Sequence, residues 1–402
     1  MKKQKLLTGV LLGVLASAMV FAGGCNKSEE KGSEQSFIDL NVRPGEEGSQ
    51  GGEGGEQVVV LDPTEEDNEL PDGLSVEDCY RSELTNMYID RNLENQRPIA
   101  VMVDNEVTAL DHYGLNQADI VYELMNSTAN GRVTRLMCIV KDWKNLEQFG
   151  SIRSTRPTNI ILAGEYNAIL IHDGGPFYIN EYLAKPYSNN LSGGFARFAN
   201  GKATEFTEYV TSDTYTGPKG TFKGLNERIK DAGFTEEYNS HYQGKHFLFN
   251  GATKDLGEDH AGAAVATEII LPHPHNKSEL HYNAETKEYE YKEYGKWHVD
   301  PLDDNKVLSF DNVILQDTGF MPCRYSDGVP DPNGYMIYDV VNENVGYYFT
   351  KGKAICIRWK KESETGLTKY YDVEKGDELM LNTGKTYISL IPGDVWEDLD
   401  FH

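Results

Sequence analysis

Four short apolar runs between residues 98 and 172 constrain the fold of this 402-residue chain more than any other feature. They are "PIAVMV", "ADIVYELM", "VTRLMCIV" and "AILIH", each rich in Val and Ile and bounded by polar turn residues. Such runs predict β-strands. Two of them are apolar at nearly every position, which is typical of strands covered on both faces.

Two helices are predicted among these strands. The segment "RPTNIILAGEY" has Pro157 near its start, where a fixed φ suits the first turn, and Gly164 near its end. In "FKGLNERIKDAG", Leu225 and Ile229 fall on one helical face. The pattern predicts an α/β domain with a mixed sheet over residues 76–245, with strands from about residue 95.

The composition changes near residue 245. Short runs such as "ELHYNAETKEYEYKEYG", "VLSFDNVILQD" and "GYYFTKGKAICIRWKK" follow one another, separated by turn signals such as Asn333-Gly334. This pattern predicts a mainly antiparallel β domain over residues 246–402. The predicted fold class is therefore α+β.

The first 25 residues have the features of an export signal. Three lysines, Lys2, Lys3 and Lys5, precede the apolar stretch "LLTGVLLGVLASAMVFA". The following "FAGGC" resembles the lipobox of bacterial lipoproteins, with Cys25 as the lipidated residue and Ala22 where leucine is usual. We expect a lipid anchor on the outer face of the bacterial cell membrane. The alternatives are a plain signal cleaved near Ala22 and an uncleaved transmembrane anchor.

Residues 26–75 are rich in Gly, Glu and Ser and poor in apolar residues. A segment of this kind cannot bury enough surface to offset its ordering entropy, so we expect a disordered acidic tether. The whole chain has 38 basic and 64 acidic residues, a net charge of −26. That balance argues against a nucleic-acid partner, which requires a basic face, but it allows one small basic pocket.

The cysteines and histidines show no metal motif. Besides Cys25, the cysteines are widely spaced and form no CxxC pair, and their pairing stays open; they are Cys79, Cys138, Cys323 and Cys356. Cys138 and Cys356 lie in strand-like runs and are expected to be buried hydrophobes. The histidines of "HPHN" and "HYQGKH" (His241, His246, His273 and His275) lack partners at ligand spacing and are expected in loops or edge strands. No metal and no cofactor is predicted.

The segment "GSIRSTR" is the predicted ligand site. Arg153 and Ser154 precede the first helix and Arg156 begins it; a helix N-terminus favours anions, and arginines add bidentate hydrogen bonds. "HDGG" follows the next strand, so its residues lie at a carboxyl end, where ligands gather in open α/β sheets. The predicted ligand-binding residues are Arg135, Arg153, Ser154, Arg156, Asp173, Gly174 and Gly175.

Structural explanations for the same residues stay open. Ser154 or Thr155 is a candidate helix cap, Arg135 and Glu123 a candidate cross-strand ion pair, and Gly-Gly a candidate turn. His172 is a candidate for an ordinary, partly buried histidine. Acid–base catalysis by His172 or Glu123, with the arginines stabilising an oxyanion, is a stronger claim. No nucleophile elbow or matched triad supports it.

Several blocks, in order, resemble the YerB-like bacterial lipoproteins (the DUF3048 type). They are "RPIAVMVDN", "GLNQADIVYELM", "GRVTRLMCIV", "FGSIRSTR" and "YNAILIHDGGP", then "YNAETKEYEYKEYGKWHVDP", "GYYFTKGKAICIRWKK" and "LNTGKTYISLIPG". The resemblance covers residues 95–395 and implies a secreted, membrane-anchored, two-domain protein. It implies no activity, because the family has none assigned. Relatives tend to carry an Arg-Asp pair and a later histidine after the HDGG-like turn, whereas here Arg197 has no adjacent Asp and "GGFARFANGKATEFTEYVTSDTYTGPKG" has no histidine.

Three hypotheses follow. The first is a lipoprotein that binds an anionic envelope component, with peptidoglycan stem-peptide carboxylates and anionic wall polymers as candidates. The second is a cell-envelope hydrolase or transferase that uses His172 or Glu123 in the same cleft. The third is a structural lipoprotein whose β domain docks another envelope protein.

Overall fold

The computed structural model describes residues 69–402. The predicted signal peptide with Cys25, and residues 26–68 of the predicted tether, lie outside the described residues. The described residues belong to one compact unit. Within the described part, strands predominate and helices are few.

The strands form one large sheet and several smaller ones. In chain order they are β1 Cys79–Arg81, β2 Tyr88–Asp90, β3 Ile99–Asp104, β4 Ile120–Met125, β5 Thr134–Val140, β6 Phe149–Gly150, β7 Ile169–His172, β8 Asn189–Ser192, β9 Ala196–Arg197, β10 Glu208–Val210, β11 Tyr215–Gly217, β12 Gly220–Phe222, β13 Leu248–Phe249, β14 Ala264–Val265, β15 Glu268–Ile270, β16 Glu279–Asn283, β17 Glu288–Glu293, β18 Lys296–Trp297, β19 Val299–Asp300, β20 Lys306–Val307, β21 Ser309–Phe310, β22 Asn312–Thr318, β23 Phe320–Pro322, β24 Met336–Tyr338, β25 Glu343–Thr350, β26 Lys353–Lys360, β27 Lys369–Asp372, β28 Met380–Leu381, β29 Thr386–Pro392 and β30 Asp400–Phe401.

The helices are short. The α-helices are α1 Pro157–Glu165, α2 Asn180–Leu183, α3 Leu225–Asp231 and α4 Leu256–Asp259. The 3-10 helices are Val76–Asp78, Arg91–Leu93, Val107–Ala109, Leu115–Gln117, Asn130–Arg132, Phe177–Ile179, Thr204–Phe206 and Trp396–Asp398. Within residues 69–402 no helix is both long and apolar enough to cross a membrane.

Both predicted helices are present. Pro157 occupies the first turn of α1, and Leu225 and Ile229 of α3 are fully buried. Gly164 does not end α1 through its own conformation; Asn167, just beyond the helix, takes the left-handed φ of +52°. Gly164 instead allows close packing, because an added Cβ would lie 2.9 Å from the Tyr187 ring.

The four predicted N-terminal strands are β3, β4, β5 and β7, and all four belong to the large sheet. Its order is β14-β26-β25-β22-β29-β4-β5-β3-β7-β8, with β27 also on β26. Parallel pairs (β3 with β7, β7 with β8, β4 with β29 and β22 with β29) and antiparallel pairs occur together. The sheet is therefore mixed, as predicted for the N-terminal region.

The predicted boundary near residue 245 falls inside this large sheet. Strand β29, near the C-terminus, lies between β22 and β4, with Ser389 opposite Glu123. Every residue of β29 is buried, because strands flank it on both sides and a core packs against each face of the sheet. The N- and C-terminal regions therefore share one sheet, and their strands are not separate layers.

The two faces of the large sheet pack against different cores. One core includes Val101, Val103 and Val121 and the residues of the second sheet, which has the order β18-β17-β16-β15-β30, with β21 on β17. The other core includes Met102, Tyr122 and the apolar residues of α1. Alternate residues along each strand point to opposite cores, so neighbours in the sequence can belong to different sites.

Candidate functional site

The two predicted site segments run side by side in the structure. The Asp173 amide donates to the Arg153 carbonyl at 3.0 Å, and the Thr155 amide donates to the Gly174 carbonyl at 3.1 Å. The Arg153 amide donates to the carbonyl of Met102 in β3 at 2.9 Å. "GSIRSTR" and "HDGG" thus meet beside the carboxyl ends of β3 and β7, as expected.

Three arginines lie together on the α1 face of the sheet: Arg135, Arg153 and Arg156, here the arginine cluster. Asp104 lies between two of them, with Arg153 Nε 2.8 Å from its Oδ2 and Arg135 Nη2 3.5 Å from its Oδ1. Asp104 is directly opposite Arg135 in the antiparallel pair of β3 and β5, which explains their contact. One buried carboxylate therefore offsets part of the charge of three guanidinium groups.

Arg135 positions Ser154. Its Nη1 donates to the Ser154 carbonyl at 2.9 Å and to the Ser154 hydroxyl at 3.1 Å. Neither Ser154 nor Thr155 caps α1, because the N-cap residue is Arg156 and no side chain there caps the helix. The cap explanation is therefore wrong; the Ser154 side chain contacts Arg135 instead.

Arg156 is the least compensated member of the arginine cluster. Only 6% of it is exposed. Its Nη1 donates to the Thr155 carbonyl at 2.7 Å, its guanidinium lies 4.3 Å from the centre of the Tyr335 ring, and its Nε has no hydrogen-bond partner. Across residues 69–402 no carboxylate lies within 4 Å of it. Burial, and secondly the charge of Arg135, lower the pKa of Arg156 to about 9.

Glu123 lies on the opposite face of the sheet from the arginine cluster. Arg135 is opposite Leu124, not Glu123, and side chains alternate between faces. The predicted alternative of an Arg135–Glu123 ion pair is therefore wrong. Glu123 is completely buried and accepts hydrogen bonds from four hydroxyls, those of Thr134, Ser278, Tyr291 and Tyr387.

His172 ends β7 and is 1% exposed. Its Nδ1 lies 2.8 Å from the Gly174 carbonyl and its Nε2 lies 3.3 Å from Asn190 Oδ1. Burial lowers its pKa, so the ring is neutral near pH 7. This arrangement agrees with the alternative in which His172 is an ordinary buried histidine with hydrogen-bond partners. The hypothesis of one cleft shared with Glu123 is wrong, because Glu123 is on the other face and three strands away in the sheet order.

Asp173 extends the site toward two residues on neighbouring strands. Arg197 Nη2 is 3.6 Å from Asp173 Oδ2 and 2.8 Å from Glu208 Oε2. Burial, and then the hydrogen bond and charge of Asp173, raise the pKa of Glu208 to about 7. Glu208 could not be identified from the sequence, because a single glutamate before "YV" has no distinguishing signal.

The two glycines of "HDGG" have different roles. Gly174 has a φ of +71° and open space where a Cβ would lie, so only its backbone conformation favours glycine. A Cβ on Gly175 would lie 2.4 Å from Ile179 Cδ1 and 3.0 Å from the Thr155 carbonyl. Gly175 thus permits the close approach of the two site segments.

Two open surface clefts are lined by none of the predicted ligand-binding residues. One, of about 460 Å³, is lined by Gly194, Thr221, Phe222, Lys223, Arg228, Asp231 and Ala232. The other, of about 320 Å³, is lined by Ser212, Asp213, Thr214, Asn226, Glu227 and Lys230. In the cleft of 460 Å³, Lys223 already pairs with Glu227 and Asp231. Neither of these two clefts is lined by Arg135, Arg153 or Arg156.

His246 and His273 each have a side-chain partner within the protein, and the four described cysteines form no disulfide. Cys79, Cys138, Cys323 and Cys356 are free thiols; Cys138 is completely buried as expected, and Cys356 is half-buried. His246 and His273 lie in loops as predicted but are buried. His246 Nε2 is 2.7 Å from Glu165 Oε2, and His273 Nε2 is 3.0 Å from the Ser389 hydroxyl.

Comparisons with known proteins agree on one family. Residues 84–235 match the "Protein of unknown function (DUF3048) N-terminal domain" and residues 269–388 match the corresponding C-terminal domain. The chain is 23% identical over 312 residues to a Bacillus subtilis (strain 168) protein named "Putative lipoprotein YerB", covering 78% of this chain and 86% of that protein. The crystal structure of YerB from Bacillus subtilis has a similar fold, with a TM-score of 0.60 and 20% identity over 78% of this chain and 98% of that one.

Proposed function

We propose that this chain, which belongs to the DUF3048 family, is a lipid-anchored protein on the outer face of the bacterial cell membrane that binds an anionic envelope component. The lipoprotein name of its Bacillus relative and the predicted export signal ending at Cys25 support the anchor. The arginine cluster supports the ligand class.

One observation carries the proposed binding role: Arg156 is a nearly buried cation without a carboxylate partner within 4 Å among the described residues. Burying a charge is costly unless it is paired, so an arriving anion would recover free energy there. Its position at the N-cap of the nine-residue helix α1 adds the favourable field of the helix N-terminus.

Arg153 gives the ligand access to the cluster. Its side chain is 30% exposed, and its Nη2 contacts Glu205 Oε2 at 2.6 Å, where the Glu205 side chain is 49% exposed. An exposed pair of this kind contributes little and is readily exchanged for another anion. A carboxylate or phosphate that replaces Glu205 would bind Arg153 and lie toward Arg156. Peptidoglycan stem-peptide carboxylates and phosphates of wall polymers share this chemistry.

The experiment is a thermal-stability measurement of the full chain in detergent, with three probes: a muropeptide with free stem-peptide carboxylates, a soluble teichoic-type polymer, and inorganic phosphate. A ligand specific to the folded state raises the melting temperature by mass action. We expect a rise with the muropeptide or the polymer that Arg156→Gln abolishes. Arg358→Gln is the matched control, because Arg358 is an exposed arginine of β26 over Tyr371. Equal rises in both variants, or none in the wild type, would contradict the proposal.

A docking role is the second candidate, and exposed apolar side chains favour it. Phe177 is 56% exposed and its ring stacks with Tyr325 at 6.0 Å, while Met321 and Val329 are 61% and 53% exposed. Phe177, Tyr178 and Tyr325 are in ring contact, and contiguous exposed apolar surface is typical of protein contacts. If this surface is the functional one, Phe177→Ser abolishes capture of an envelope protein while Arg156→Gln has no effect. The hydrolase or transferase hypothesis has less support, because Glu123 and His172 lie on different faces.

A further inference from the structure

Two histidines and a glutamate meet in the core on the face opposite the arginine cluster. His112 precedes β4, Glu293 ends β17, and His298 lies between β18 and β19. One ligand atom from each lies within 4.8 Å of the others. Their exposed fractions are 0%, 1% and 4%. The chain therefore brings three metal-ligating side chains together from segments about 180 residues apart.

Most of the imidazole nitrogens at this place have no hydrogen-bond partner. Both ring nitrogens of His112 and the Nε2 of His298 are buried and unpaired, whereas His298 Nδ1 lies 2.9 Å from Glu293 Oε1. The two rings are 5.0 Å apart between centroids. The Asp104 backbone lies close to the His112 ring, but outside ordinary hydrogen-bond geometry. Buried polar atoms normally have partners, so unpaired nitrogens facing one another point to a missing ligand.

The local charge favours a cation. Glu293 and Glu123 are both buried, and the Tyr291 hydroxyl links them, at 2.9 Å from Glu123 Oε2 and 3.5 Å from Glu293 Oε2. In the described part of the chain no lysine or arginine lies within 4 Å of either carboxylate.

We infer that His112, Glu293 and His298 form a buried site for a divalent transition-metal ion, with Zn²⁺ best suited to the donor set. Two imidazoles and a carboxylate are ligands that Zn²⁺ binds at about 2.0–2.2 Å, so the ligand atoms would approach to about 3.4 Å from one another around a tetrahedral ion. Three protein ligands leave the fourth position for a water molecule.

The ion would have a structural role. His112 belongs to the region that matches the N-terminal domain, and Glu293 and His298 belong to the region that matches the C-terminal domain. The backbone of His298 makes hydrogen bonds with Tyr291 at 3.1 Å and Leu308 at 2.8 Å. These bonds fix the backbone position from which the imidazole extends. A metal at this place would connect the two regions and, because binding requires the folded site, would add to folding stability.

A second cluster in the same molecule provides the control. Glu268, Glu279 and His281 also lie close together, but they are only partly buried, and Lys292 Nζ is 2.6 Å from Glu279 Oε2. Because a lysine already offsets that carboxylate, we expect no tight metal site there. His281→Phe is therefore matched to His112→Phe: each removes one imidazole from a His-carboxylate group and keeps an aromatic ring.

The experiment measures metal content and Co²⁺ absorption of the full chain in detergent, as isolated and after refolding with Zn²⁺ or Co²⁺. We expect about one metal ion per chain in the wild type and in His281→Phe, and at least ~10-fold less in His112→Phe. Zn²⁺ should raise the melting temperature of refolded wild type but not of His112→Phe. If a bound water fills the site instead, the wild type takes up no metal and His112→Phe is as stable or more stable, which would overturn the inference.

A second variant covers failure of His112→Phe to fold, which far-UV circular dichroism would detect. Glu293→Gln keeps the side-chain shape and removes the anionic ligand. We expect it to weaken the tetrahedral Co²⁺ bands or eliminate them. A Co²⁺ spectrum identical to that of the wild type would overturn the inference.

Discussion

The two faces of the large sheet hold charged sites of opposite sign, although the polar residues of these sites are neighbours in the sequence. On the α1 face, the arginine cluster has three guanidinium groups and one buried carboxylate, that of Asp104. On the other face, the carboxylate network, defined as Glu123 and Glu293 with their hydroxyl and imidazole partners, contains no lysine or arginine within 4 Å of either carboxylate, as far as residues 69–402 show. The arginine cluster therefore has an excess of positive charge, and the carboxylate network has an excess of negative charge.

This difference arises from strand alternation. Along β4 and β5, Glu123 and Thr134 point to one core while Leu124 and Arg135 point to the other. A spacing of one residue is therefore enough to separate groups of opposite charge by the thickness of the sheet. The excess charge at each site therefore predicts the charge of its ligand: an anion at the arginine cluster and a cation at the carboxylate network.

Removing the Glu123 carboxylate should have the largest effect on stability. Glu123→Ala leaves the buried hydroxyls of Thr134, Ser278, Tyr291 and Tyr387 without their shared acceptor. We expect a loss of about 3–5 kcal/mol in the free energy of unfolding, measured by urea denaturation. Glu123→Gln, which keeps one acceptor oxygen, should lose less. A loss below about 1 kcal/mol for Glu123→Ala would show that this network is not held through Glu123.

Removing the Asp104 charge should have a smaller effect that anions reverse. Asp104→Asn keeps the shape but leaves Arg135 and Arg153 without their buried counter-ion. We expect a loss of about 2–3 kcal/mol in the free energy of unfolding at low salt. Added phosphate should restore part of it, because phosphate can occupy the vacated side of the cluster. The same phosphate should not raise the free energy of unfolding of Glu123→Gln. An equal rise in both variants would contradict the difference in charge between the two faces.

Glu208, which shares Arg197 with Asp173, predicts a pH dependence of stability. Its pKa is raised from 4.5 to about 7, first by burial and then by Asp173. The folded state therefore binds the proton more tightly than the unfolded state. Its contribution to stability is complete below about pH 4.5 and is lost as the pH rises through about 7. We expect Glu208→Gln to flatten the decline in unfolding free energy between pH 5 and pH 8, measured by denaturation at both values. An unchanged slope would contradict the raised pKa.

Glu205 should show the smallest effect on stability. Its pair with Arg153 is exposed, so Glu205→Gln should change the free energy of unfolding by less than about 1 kcal/mol. The same variant should bind anions more tightly, because it removes the competitor at Arg153. A titration with inorganic phosphate compares it with the wild type, and weaker binding in Glu205→Gln would mean that Glu205 helps to form the site.

Much of the local architecture could be predicted from the sequence. The Val- and Ile-rich runs became β3, β4, β5 and β7, and Pro157 began α1, because these signals depend on short-range conformational preference. The meeting of "GSIRSTR" and "HDGG" also followed from local order, since each segment adjoins the carboxyl end of a strand.

Long-range pairings could not be predicted in this way. Nothing in "TYISLIPG" indicates that β29 lies beside β4, about 260 residues earlier in the chain. The Arg156 guanidinium lies over the ring of Tyr335, which belongs to a distant loop. The contact between His112 and His298 joins residues 186 apart in the sequence. The face on which Glu123 lies required the register of β4 against β5, which a single strand pattern does not define.

The most direct measurement of the central claim is an isothermal titration of the full chain with the envelope anion that raises its melting temperature. The wild type, Arg156→Gln and Arg358→Gln would be compared at the same salt concentration. Loss of a charge-assisted hydrogen-bonding partner of about 1.5–3 kcal/mol predicts roughly 10-fold to 150-fold weaker binding for Arg156→Gln, with Arg358→Gln unchanged. Equal affinity in all three proteins would show that the arginine cluster is a structural feature and not an anion-binding site.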